Sequence, residues 1–246
     1  MAQINHWKCL HKCDLRDYTV IIPSVAVGNV GQLACDLVVS SLDMKKIAMI
    51  YSPALIPVVG YDPYKLGSTA IASCCEVYAC ETRKIVILLL RAPLVFKYAQ
   101  QFLTEVVAKF SEKDVKDIII LTSSFAHENR NIMASPFRYI INELCPYASK
   151  LNTLKWVEHE PKEDTVKILG GGFASQLYEI TKRNNIPCLV IYKYASEGDN
   201  IPDAFQMVQY LNSVVPLFDE PDCYSKLVHP VSWNLMYGRP PPVDIY

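Results

Sequence analysis

The sequence has no surplus of basic charge: 24 Lys and Arg residues stand against 25 Asp and Glu, for a net charge of -1. A nucleic-acid binder shows a basic excess or a basic stripe, so no nucleic-acid partner is expected. Charge of either sign is scarce, at 20%, which leaves uncharged surface available for protein contacts. Long apolar runs are missing too. The strongest, Ile85 to Leu90, is bounded by Lys84 and Arg91. It falls far short of the roughly 18 residues of a membrane span and reads as a buried strand. No membrane partner is expected. The first residues lack an early apolar stretch and carry Lys8, Lys12, Asp14, Arg16 and Asp17, so no secretory leader is expected there.

The motifs of common chemistries are also missing. Gly28-Asn29-Val30-Gly31 is neither GxGxxG nor a Walker loop, and no Gly-Lys-Ser/Thr follows it. Gly170-Gly171-Gly172 has no partner motif, and neither loop contains Lys or Arg. Free N–H groups at a helix start can hold phosphate. Glycine also permits tight turns and close helix–sheet packing, and the residues favour that second role. His127-Glu128 resembles the start of a zinc-protease helix, but Asn131 stands where the second His belongs. His6, Cys9, His11 and Cys13 have one tolerated ligand spacing and no second pair. A G-x-S-x-G elbow is absent. Glu158/Glu160 and Glu163/Asp164 lie in polar stretches and read as solvated surface. No catalytic residue, metal or cofactor is expected, and the chain reads as a binder rather than an enzyme.

What is present is a core and a period. Hydrophobic residues make up 51% of 246, enough for one large domain or two small ones. The nine cysteines are odd in number, and Cys35, Cys74 and Cys188 lie in apolar runs. That pattern fits reduced thiols and a cytoplasmic or nuclear location. β-Branched and apolar runs predict strands at 19–27, 46–51, 74–80, 85–90, 117–122, 166–169 and 186–192. A Pro/Gly/Tyr loop is expected from Pro53 to Gly67. Helical spacing predicts helices from Val30 to Leu42, Phe96 to Phe110 and Phe173 to Lys182, and a last one from Pro202 to Phe218. Phe137 to Leu144 reads as a short helix. Alternation of buried strands with helices implies an α/β domain, three-layer αβα with a largely parallel sheet. It is expected to span residues 1–219, followed by a Pro-rich, irregular extension at 220–246. The acidic loop Glu197-Gly198-Asp199 follows a predicted strand. It fits equally a binding loop and charges that complement a helix N-terminus.

Four segments, in order, carry a resemblance. They are Pro23-Ser24-Val25-Ala26-Val27-Gly28-Asn29-Val30-Gly31-Gln32-Leu33-Ala34 with Asp36-Leu37, then Ser135-Pro136-Phe137-Arg138-Tyr139. Next come Gly170-Gly171-Gly172 with Leu177-Tyr178, and Ser196-Glu197-Gly198-Asp199-Asn200-Ile201-Pro202-Asp203-Ala204. As an ordered set across residues 19–218, they resemble the proteasome assembly chaperone 2 family. The resemblance implies a nucleoside-phosphorylase-like shape and a heterodimer with proteasome assembly chaperone 1. It also implies binding to proteasome α-subunits, promotion of α-ring assembly and prevention of off-pathway ring association. The alternative is a small-molecule enzyme of nucleoside phosphorylase or hydrolase type, with the glycine loops as its anion site. The last residues, Arg239-Pro240-Pro241-Pro242-Val243-Asp244-Ile245-Tyr246, read as a stiff polyproline strut with a plug at its end. Val243, Asp244, Ile245 and Tyr246 are the candidate docking residues, by terminal carboxylate capture. They resemble hydrophobic–Tyr–any tails that dock between proteasome α-subunits, except that Tyr246 is last rather than penultimate.

Overall fold

The computed structural model describes residues 2–131, 133–160 and 165–235. Eight strands form one sheet: β1 (His6–Cys9), β2 (Thr19–Pro23), β3 (Lys45–Tyr51), β6 (Cys75–Cys80), β7 (Ile85–Leu90), β8 (Asp117–Phe125), β9 (Phe137–Ile141) and β10 (Cys188–Ala195). Their order is β1-β3-β6-β7-β2-β8-β10-β9. The four central strands, β7-β2-β8-β10, run parallel. The flanks are antiparallel. Strands covered on both faces read as continuous apolar runs, which is why β7 (IVILLL) is buried at every position.

Helices cover both faces. α1 (Val30–Ser41) and α5 (Ile201–Val214) share one core with the short α3 (Ala148–Thr153). α2 (Phe96–Ser111) and α4 (Ala174–Arg183) share the core on the other face. The α2 stripe of Ala99, Phe102, Leu103, Val106, Val107 and Phe110 is buried, as its spacing predicts. The expected three-layer α/β architecture is therefore present.

Several elements differ from the sequence reading. Phe137 to Leu144 is not a helix; its first five residues are β9, antiparallel to β10. Phe137 and Tyr139 alternate with Arg138 and are buried, so a period of two prevails over a run too short for stable helix. Residues 166–169 are irregular rather than a strand. Their polar groups are met locally: Ser175 Oγ accepts from Ile168 N at 3.1 Å, and Leu169 O accepts from Ser124 Oγ at 2.8 Å. The polar leader supplies β1, an edge strand on β3. Among the described residues, no group of three or more His, Cys, Asp or Glu could hold a metal. The expected 53–67 loop contains β4 (Val59–Tyr61), which pairs with β5 (Ile71–Ser73) in a separate hairpin.

The described part of the extension lies against α1 and α5. Asn212 Nδ2 donates to Glu220 O at 2.9 Å, and Val228 N donates to Ser41 Oγ at 2.8 Å. Cys223 and Trp233 are buried there. Phe102, fully buried beneath the sheet, tests the core. Phe102→Ala is expected to cost about 3–5 kcal/mol, read as a lower urea midpoint at unchanged slope.

Candidate functional site

The carboxyl ends of parallel strands are where α/β folds place their sites. Here three glycine-containing loops meet at that edge. Beyond β2, Ser24 N donates to Leu121 O at 2.8 Å. Gly28 and Asn29 then turn through left-handed conformations, with φ of 63° and 51°, and α1 begins. Gly31 lies so close to β8 that a Cβ there would stand 2.5 Å from Leu121 O.

The 170–172 loop folds directly onto this turn. Ser24 Oγ donates to Gly171 O at 2.8 Å and accepts from Phe173 N at 2.9 Å. Thr122 Oγ1 donates to the same Gly171 O at 3.0 Å, and Val27 N donates to Gly170 O at 3.0 Å. Ser123 Oγ donates to Val27 O. At Gly172, with φ of 59°, a Cβ would lie 2.1 Å from Val25 O. The third loop closes the cluster: Asn200 packs on Gly28, where a Cβ would lie 2.6 Å from Asn200 Oδ1.

The glycines thus serve close backbone approach. The amides at 171, 173 and 174 donate to Ile168 O, Ser24 Oγ and Gly171 O. These three N–H groups are therefore spent within the chain rather than offered to an anion. Glu197, Gly198 and Asp199 are exposed at the rim, and Asp199 Oδ1 accepts from Ile201 N at 3.1 Å, at the start of α5. The helix-start role of that acidic loop therefore has a direct contact.

Two largely buried ion pairs hold the helices that leave the first and third loops, α1 and α5. Lys193 on β10 pairs with Asp203 in the first turn of α5 and donates to Gln206 Oε1 at 2.6 Å. Asp203 Oδ2 also accepts from Asn200 Nδ2 at 2.8 Å. On α1, Asp36 accepts both guanidinium nitrogens of Arg91 at 3.0 Å and the Tyr64 hydroxyl at 2.5 Å. Burial opposes the Arg91 charge, but Asp36 and Tyr64 outweigh it, and the pKa is raised. Burial, then Asp36, also raises that of Tyr64. Both residues therefore keep their protons across the physiological range.

Sequence reasoning missed a cleft of about 490 Å³ beside the cluster, lined by Ser124, Arg138, His159, Lys167, Tyr192 and Tyr194 among others. Its walls come from segments far apart in the chain, so no local motif announces it. Arg138 is committed to the carbonyls of Ser135 and Phe137, at 2.5 and 2.7 Å. His159 Nδ1 meets the Tyr192 hydroxyl at 2.7 Å. Burial pushes the thiols of Cys145 up to about 11 and Cys188 up to about 12, so neither is a thiolate nucleophile. The tail residues Val243, Asp244, Ile245 and Tyr246 lie outside the described residues.

A family model described as the PAC2 family matches residues 20–217. The chain belongs to the PAC2 family. The match runs from β2 to just past α5 and includes all three converging loops. The chain is 34% identical to "Proteasome assembly chaperone 2" of Homo sapiens, covering 95% of this chain and 96% of that protein. Identity is 28% to the protein of the same name from Saccharomyces cerevisiae, over 92% and 98%. Among solved structures it resembles Pyrococcus furiosus PbaA, described as an archaeal homolog of proteasome-assembly chaperone. That match has a TM-score of 0.69 and 17% identity, covering 90% of each chain. P. furiosus PbaB, described as an archaeal proteasome activator, matches with a TM-score of 0.67 and 15% identity, over 92% and 94%. At these identities the likeness shows the PAC2 fold.

Two substitutions probe the PAC2 loop cluster. Gly172→Ala is expected to lose about 3 kcal/mol or more, because left-handed strain adds to a backbone clash. Asp203→Ala should cost about 3 kcal/mol by stranding buried Lys193, and Lys193→Met in the same chain should restore much of it. Chemical denaturation of the single and double variants checks both.

Proposed function

We propose that this PAC2-family chain is a proteasome assembly chaperone that works by binding protein, not by catalysis. It forms one half of a heterodimer with proteasome assembly chaperone 1. The pair binds proteasome α-subunits, promotes α-ring assembly and prevents off-pathway ring association. The observation that carries this reading is identity to the human chaperone across almost the whole of both chains. The bonds between the glycine loops support it, because Ser24 Oγ, Thr122 Oγ1, Gly171 O and Phe173 N are spent on one another. A cytoplasmic or nuclear setting agrees with the nine cysteines, all free and seven of them buried.

In this reading the tail is a second contact. Val243, Asp244, Ile245 and Tyr246 dock in a pocket of the α-ring, the carboxylate against a basic group and the side chains against an apolar wall. Deleting 244–246 is expected to weaken α-ring binding at least tenfold and to leave the heterodimer intact. Calorimetric titration against α-rings, beside a pull-down with the partner chain, checks this. Unchanged ring affinity would remove the tail from the proposal.

The cleft beside Tyr192 keeps the enzyme alternative testable. A ligand that binds the native state raises its melting temperature in proportion to the logarithm of concentration over Kd. Phosphate and nucleosides, singly and together, are expected to leave the melting temperature unchanged. A rise of several degrees at millimolar ligand would favour the phosphorylase or hydrolase reading.

A further inference from the structure

The β4–β5 hairpin is patterned in reverse for a surface element. Val59 and Tyr61 are two apart and share one face, and the register sets Ile71 opposite Tyr61. This apolar face points to solvent: Val59 is 73% exposed, Tyr61 90% and Ile71 59%. The small Ala72, on the other face, is buried. Leu66 in the connecting loop is 91% exposed. A surface hairpin turns its polar alternation outward, and this one does the opposite.

The apolar face continues beyond the hairpin. Leu55 bridges Leu94, and Val95 N donates to Ala54 O at 2.8 Å. These contacts tie the segment leading into the hairpin, which carries Ile56 and Val58, to the start of α2. Phe96 heads the α2 stripe, three residues before Ala99, yet it is 97% exposed. No residue in 47–61, 66–75 or 92–96 is charged. The exposed parts of these apolar side chains together amount to roughly 1,000 Å², and Tyr61 and Phe96, aromatic side chains of roughly 150–250 Å² each, contribute most. That total matches the roughly 800 Å² per partner of a stable complex.

The hairpin is also held in place. Tyr64 in its loop is tied to Asp36 and Arg91, Lys46 Nζ donates to Ile71 O at 3.0 Å, and Ser232 N donates to Pro63 O at 3.1 Å. A surface ordered before binding loses little entropy on association.

We propose that the outward face of this hairpin, centred on Val59, Tyr61 and Ile71 and extended by Leu66 and Phe96, seats the partner chain of the heterodimer. The assignment rests on the heterodimer reading above. It selects the permanent partner over the α-subunits because of its chemistry. Interfaces of transient partners are no more apolar than ordinary surface, whereas permanent ones resemble a core cut in half. The occupant presents an equally uncharged, apolar face.

The test co-expresses the full chain with a tagged partner chain, as wild type, as Tyr61→Glu/Phe96→Glu and as the milder Val59→Ser/Tyr61→Ser. Co-purified stoichiometry and solution mass are read, with circular dichroism melts of each variant. Wild type is expected to give a one-to-one complex. The glutamate pair should reduce recovery at least tenfold while the melting temperature stays within a few degrees. If the glutamate pair does not fold, the serine pair supplies the reading, with a smaller loss. Full one-to-one recovery of a folded variant would overturn the surface assignment and leave the heterodimer standing. Failure of the wild type to pair would overturn the heterodimer reading, and this assignment with it. A homodimer of the wild type that persists beside the partner and is lost in the variants would show a second copy as the occupant.

Discussion

The hydroxyl of Ser24 holds the centre of the molecule together. It donates to Gly171 O and accepts from Phe173 N, so two loops separated by almost 150 residues share one side chain. Thr122 and Ser123, on the strand between them, add their own hydroxyls to the same loops. In an α/β sheet this is the crevice where a ligand sits against helix N-termini. Here the backbone occupies it. A hydroxyl buried without a partner costs roughly 1–3 kcal/mol, and these three are satisfied only while the loops stay in contact. The absence of Cβ atoms at Gly31 and Gly172 is what permits that contact.

This closure separates what was legible in the sequence from what was not. Periodicity located α1, α2, α4 and α5, and apolar runs located β3, β6, β7, β8 and β10, because helices and doubly buried strands advertise themselves in consecutive residues. The glycines were also legible as packing residues, although their partner, Ser24, was visible only as part of a motif. β1 was hidden because an edge strand with one exposed face carries little apolar signal; only Trp7 among its four residues is large and apolar. β9 was hidden because five residues cannot distinguish a helical from an alternating pattern. The β4–β5 hairpin was hidden because its apolar residues face outward, and Pro53, Pro57 and Pro63 read as loop. The cleft beside Tyr192 has no linear signature at all.

The Asp36–Arg91–Tyr64 cluster then gains a meaning that stability alone does not give it. A buried ion pair adds little net stability compared with apolar residues of the same volume. Its value lies in direction: a bidentate guanidinium accepts only one arrangement of its carboxylate. Asp36 belongs to α1, Arg91 follows β7, and Tyr64 comes from the hairpin loop. The cluster therefore fixes the hairpin relative to the sheet, which a purely apolar contact of Val and Leu side chains would do less exactingly. An apolar face offered to a partner needs such an anchor, because its own side chains have nothing to pack on until the partner arrives.

The same hairpin relates the two proposed contacts to each other. Ser232 N donates to Pro63 O, so the chain passes the connecting loop of the hairpin shortly before the described residues end at 235. Eleven residues follow, and an extended chain of that length spans at most about 35–40 Å. If the tail docks as proposed, its pocket lies within that radius of residue 235. The tail's effective concentration at its pocket then depends on how the partner is seated. Under the two proposals together, strengthening or weakening the hairpin contact should also alter ring binding.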